Sequence, residues 1–131
     1  MRAATLKCQG TCYLAFTIIL DKIAYRMHVD KMDPISLQKI CEVIGEYNEV
    51  YDAKVDADEF VHMLIDAGII KKLDGHYKFT QRNYLAYFIA REIKRRCLEE
   101  GDYFEFTKAL QYACYEINSD IILFVNPSAI L

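Results

Sequence analysis

The feature that most limits the folds open to this chain is a change of hydrophobic period near its middle. Apolar residues recur at helical spacing as far as Gly68. The pattern then becomes Ile69-Ile70-Lys71-Lys72-Leu73, Asp74-Gly75, His76-Tyr77-Lys78-Phe79. Two short β-type runs around Asp-Gly predict a tight hairpin, because these two residues accept the positive φ angles of a two-residue turn. After Thr80 the helical period returns, so the hairpin is an insertion in a mainly helical chain.

Three helices are predicted before it. From Tyr13 to Met27, Phe16, Ile19, Leu20, Ile23, Ala24 and Met27 form one stripe, widened by Leu14, Ile18 and Tyr25. A helix apolar on so many sides must lie between others. Asp33-Pro34 or Ser36 opens a second helix reaching about Tyr51, with Leu37, Ile40, Cys41, Ile44 and Tyr47 inward. Asp56, with Glu59 three residues on, is a capping-box-like start for a third, carrying Ala57, Phe60, Val61 and Leu64 inward and ending at Ala67-Gly68. Three helices and then a two-stranded wing is the winged-helix order. The expected fold is therefore mainly α: a winged-helix-like core over residues 13–80, preceded by a tail or segment remnant over 1–12. A helical extension over 81–131 packs on that core. Within it, one helix runs from Gln81 to Glu100 and is closed by Gly101. Asp102 caps another, Tyr103–Tyr115, with Phe106, Ala109, Leu110 and Ala113 inward. Residues 118–125 read equally as helix or strand, ended by Pro127.

A chain of 131 residues with 53% hydrophobic content can bury one real core, which argues against a disordered chain. The five cysteines, Cys8, Cys12, Cys41, Cys97 and Cys114, are odd in number and sit mostly on apolar helix faces, so reduced buried thiols in a cytoplasmic protein are expected. Cys8 and Cys12 have no second Cys or His pair at matching spacing, so no metal site is expected. The apolar run Tyr13–Leu20 is cut by Asp21 and Lys22, too short for a bilayer, and no small-residue cleavage site follows it.

No phosphate-binding loop, nucleophile elbow, zinc-protease or dinucleotide motif occurs, and His28, His62 and His76 fall on different elements. No catalytic residue, cofactor or enzyme activity is expected. The third helix would be the DNA-reading helix of a winged-helix protein. Its outward face holds Asp58, Glu59, His62 and Asp66, with no Lys or Arg from Asp56 to Gly68. Such a face repels phosphates and lacks the side chains that read guanine, which argues against nucleic acid. Positive charge gathers instead at Lys71, Lys72, Lys78, Arg82, Arg91, Lys94, Arg95 and Arg96, opposed within that stretch by Asp74 and Glu92 alone. The stretch carries +6 and the remainder −9 in a chain of formal charge −3. It reads as a solvated face, as a surface that docks an acidic partner or another domain, or as a wing-first contact to nucleic acid.

The segment Tyr77–Ala90, with Phe79, Tyr84, Tyr87, Phe88 and Ala90 in place, resembles the end of the winged helix in STAND-class NTPases, the NACHT-like ATPases included. Asp58–Ile70 is similar to that family's third helix running into its first wing strand, and the likeness extends over roughly Tyr13 to Ile93. Many NACHT-like members place a nucleotide-sensing histidine where this chain has Gln81, and a glutamate often stands where it has Ala86. The resemblance implies Gln81 as a nucleotide-proximal position able to donate a hydrogen bond, and an ATP-binding core lying before residue 1. It implies a non-catalytic regulatory module that clamps an ATPase core of the same parent protein or another protein partner; apolar surface left exposed without that core would favour self-association, and the short apolar run argues against membrane contact. The alternative expectation is a stand-alone winged-helix regulator of transcription, and the plainest is a structured fragment without function in isolation.

Overall fold

The computed structural model describes residues 9–126, with side chains from Leu14 onward. Its elements are α1 (Gln9–Val29), β1 (Ile35–Ser36), α2 (Leu37–Tyr51), α3 (Ala57–Asp66), β2 (Ile70–Leu73), β3 (His76–Phe79), α4 (Arg82–Arg95), α5 (Phe104–Gln111) and α6 (Glu116–Val125). Among the described residues the architecture is mainly helical, six α-helices with a small three-stranded antiparallel sheet in the order β1-β3-β2.

Local chemistry sets most boundaries. The Ser36 hydroxyl accepts the Lys39 amide at 3.2 Å and starts α2, and Asp56 Oδ2 accepts the Glu59 amide at 2.9 Å and starts α3. The loop between them is clamped by Asn48, whose amide donates to the Val55 carbonyl and accepts the Val55 N–H, both at 3.0 Å. Gly68 ends α3 at φ 77°, in the left-handed region that favours glycine. Asp74 and Gly75, at φ 51° and 79°, make the predicted hairpin turn. Thr80 then ties the ribbon to its root, donating to the Gly68 carbonyl at 2.7 Å.

Burial follows the predicted stripes on α1 and α3: Ile19, Leu20, Ile23, Ala24 and Met27 on the first, Phe60, Val61 and Leu64 on the second. Phe16 meets Phe60 edge-on with ring centroids 5.1 Å apart. The helix α4 buries Ala86, Ile89, Ala90 and Ile93 and packs most extensively against α1 on one side and α6 on the other. After Arg95 the helix widens into a π-helical turn, Arg96–Glu100, closed by Gly101 at φ 67°.

Several expectations need correction. The structure adds β1, whose Ile35 pairs with Tyr77 and Ser36 with His76, so the hairpin is two-thirds of a sheet. The helix α1 begins at Gln9, inside the segment read as a tail; residues 1–8, and with them Cys8, lie outside the described residues, as does Pro127. The Cys12 side chain is likewise outside them. On α2 the buried set is Ile40, Val43, Ile44 and Tyr47; Cys41 is exposed and Leu37 only partly covered. Cys114 is also exposed, so of the described thiols Cys97 alone is buried, and burial pushes its pKa up. The helix α5 stops at Gln111. Phe106 and Ala109 face inward, whereas Leu110 and Ala113 do not. Residues 118–125 are helical.

Candidate functional site

The basic stretch does not form one free surface. Arg82, at the start of α4, pairs with Glu116 at 2.7 Å and Asp120 at 3.6 Å, which fastens α4 to α6. Arg91 and Arg95 turn toward α1, where Nε of Arg91 and Nη2 of Arg95 donate to Asp21 Oδ2 at 3.1 and 2.8 Å. Glu92 gathers Lys22 at 3.3 Å, Arg96 at 3.0 Å and Arg95. The Arg96 guanidinium lies over the Tyr25 ring, 4.1 Å from its centroid. Among the described residues, Lys71, Lys72, Lys78 and Lys94 form no ion pair.

Two carboxylates therefore sit at the centre of the α1–α4 seam, Asp21 at 0% and Glu92 at 1% exposure. Burial raises the Asp21 pKa against the pull of Arg95 and Arg91, and its Oδ1 is enclosed without a hydrogen-bond partner. Burial also pushes Tyr25 up to about 12, with Arg96 working the other way. Sequence reading missed this seam. Asp21 looked like an interruption of an apolar run, and Glu92 like one opposing charge among eight. The available signal was spacing: Glu92 precedes Arg95 and Arg96 by three and four residues, the separations that share one helix face.

A cleft of about 130 Å³ opens beside the seam, lined by Lys22, Tyr25, Arg26, Val43, Glu46 and Arg96 among others. Its cations are already engaged: Arg26 binds Glu46 at 3.1 Å and Asp30 at 3.7 Å, and Lys22 and Arg96 bind Glu92. An incoming anion would have to displace them.

Gln81 stands at the N-terminal end of α4, exposed, and its side chain makes no capping bond. The face of α3 is as expected, with Asp58, Glu59, His62 and Asp66 all exposed, and His62 3.5 Å from Asp66. A run of exposed apolar side chains lies around α5 and α6, including Phe104 at 66%, Tyr115 at 62% and Leu123 at 71%. No group of three or more His, Cys, Asp or Glu side chains converges as a metal site among the described residues, and none of their helices is long and apolar enough to cross a membrane.

His28, on α1, reaches across to α5, with Nε2 3.9 Å from Glu105 Oε1. Burial lowers its pKa below 6.5, partly opposed by Glu105, while Lys31 and Lys108 add to the lowering. As pH falls through about 6.5 the unfolded chain takes up this proton before the folded one does, so stability falls with it. The melting temperature of His28→Gln is expected to decline less between pH 7.5 and 5.5 than that of the native chain. Parallel melting curves would show that His28 does not titrate this way.

No significant match to a curated protein or to a solved structure was found. Residues 33–89, which span β1, α2, α3, the hairpin and the first half of α4, match the model of the family described as Novel STAND NTPase 4, and this marks that segment as a STAND-class NTPase-related region.

Proposed function

We propose that the chain is a non-catalytic regulatory module of a STAND-class NTPase, docking on an ATP-binding core and restraining it. The observation that carries this reading is the family match over 33–89, which covers the strand–helix–helix–hairpin part of the fold that follows α1 and runs into α4. That order is the one a winged helix would have with β1 as its first strand. The aromatic segment Tyr77–Ala90, which resembles the end of the regulatory region in NACHT-like ATPases, lies across β3 and the start of α4. The mechanism is steric: hairpin and α4 pack on the nucleotide domain in the cytoplasm and move when nucleotide exchanges, with Gln81 at the helix end nearest the phosphates. The core is another domain of the same parent protein or a separate protein.

Adding the chain in saturating amounts to the ATP-binding core of a protein from the matched family is expected to change ATP turnover about fivefold or more, the lower end of ordinary coupling between sites. Unchanged turnover together with no complex on gel filtration overturns the reading. The acidic outward face of α3 weighs against the transcription-regulator alternative. Robust, salt-sensitive binding to duplex DNA in a low-salt gel shift would reinstate it.

A further inference from the structure

The register of the hairpin places Lys71 of β2 directly opposite Lys78 of β3. Side chains so opposed leave the same face of a sheet with Cβ atoms about 5 Å apart, and like charges in that position destabilise it. Lys72, opposite Tyr77, is exposed too but leaves the other face of the ribbon. The three ammonium groups have no carboxylate partner among the described residues, although the arginines that follow them in sequence are all paired. The opposite face of the ribbon is the core side, where Ile70, Tyr77 and Phe79 are buried. The next opposed pair on the lysine face is Leu73, 45% exposed, and His76.

Protection of an open sheet edge accounts for only part of this. Lysine on an edge strand discourages pairing with foreign strands, and β2 is an edge. But β3 is the central strand, so Lys78 guards nothing there, and its position opposite Lys71 adds repulsion. An unrelieved pair of this kind is what a surface looks like when its counter-charge arrives with a ligand.

We infer that the outward face of the β2–β3 ribbon is a docking surface for an acidic segment of a partner protein. Carboxylates of that segment sit between Lys71 and Lys78, and Leu73 meets an apolar side chain beside the acids. The partner need not be an NTPase core, so this inference goes beyond the proposed function and can fail without it. A protein segment fits better than nucleic acid. The helix α3 leads straight into β2 and exposes Asp58, Glu59 and Asp66, while Asp74 occupies the turn. A long polyanion laid on the ribbon would meet those acids, whereas a short acidic stretch would not. Lysine, a compact point charge, also lacks the planar fork with which arginine grips phosphate.

The test uses the full chain, isotopically labelled, titrated with a decaglutamate peptide at low and physiological salt. Saturable shifts confined to the amides of 71–79 are expected. In Lys71→Glu, binding should weaken at least about tenfold, because the new carboxylate opposes the peptide. The same change should raise the melting temperature by about 1–4 °C, because it converts a repulsive cross-strand pair into an attractive one. Lys78→Gln should weaken binding without unfolding the ribbon. Absence of saturable shifts, binding indifferent to Lys71→Glu, or a lower melting temperature in that variant each overturns the inference. So does tighter lysine-dependent binding to a short DNA duplex than to the peptide.

Discussion

Glu92→Ala is expected to remove about 3–5 kcal/mol of folding stability, the range for breaking a buried ion pair by deleting one partner. Glu92 is 1% exposed and accepts hydrogen bonds from Lys22, Arg95 and Arg96. Removing it leaves three cations gathered around an empty pocket at the α1–α4 seam. Lys22 and Arg96 reach solvent in part, which places the value nearer the lower limit. Even so, it is a large share of the roughly 5–15 kcal/mol that holds a domain together. Two comparisons sharpen the expectation. Asp21→Asn should cost less, because Asp21 already bears an uncompensated burial penalty that a neutral amide escapes. Arg82→Ala, which removes an exposed pair with Glu116, should cost about 1 kcal/mol or less. Urea denaturation of the three variants gives the order. An Asp21→Asn loss equal to that of Glu92→Ala would mean that the seam is held by Asp21 instead.

Phe60→Ala should be of similar size, about 3–5 kcal/mol, through loss of apolar burial and the cavity left behind. Phe60 is 1% exposed and packs edge-on against Phe16 beneath the sheet. The void already lined by Phe60, Ile70, Tyr77 and Phe79 is only about 10 Å³, so there is little slack to absorb the change. Amide exchange in β2 and β3 should quicken along with the global loss, since α3 and the hairpin share this packing. Val50→Ala, at a side chain 74% exposed, should stay within about 0.5 kcal/mol. A loss for Phe60→Ala no larger than for Val50→Ala would show that the α3 stripe is not the core of this region.

What the sequence made legible was whatever its neighbours within a few residues decide. The hairpin was readable because Asp74 and Gly75 take positive φ between two short β-type runs, of which His76–Phe79 alternates. The start of α3 was readable because Asp56 sits three residues from the amide it caps. The strand β1 was not. It is two residues long, and its only β character is pairing with Tyr77 and His76, some forty positions away. The same distance problem hid the charge seam. Summing charges along 71–96 gave a basic surface, but the acids that answer it, Asp21, Glu116 and Asp120, come from other helices. Small errors of phase explain the rest. On α2 the stripe runs through Val43 instead of Cys41; on α5 Leu110 falls just off the buried face of Phe106 and Ala109, and Ala113 lies past the helix end at Gln111. Of the surface proposed for docking, the sequence supplied the lysines. Only the strand register sets Lys71 against Lys78 and leaves them unpaired.

The helix α4 serves two neighbours at once, with α1 on one flank and α6 on the other, while the recognisable family segment stops partway along it at residue 89. The span that matches the family and the span that must be expressed to obtain a stable molecule therefore have different ends. Severing the polypeptide at residue 89 would discard Ile93 and Cys97 from the interior along with Glu92 and the arginines of the charge seam, and would strip α6 from its seat. Anyone transplanting this module between proteins should carry it through Val125.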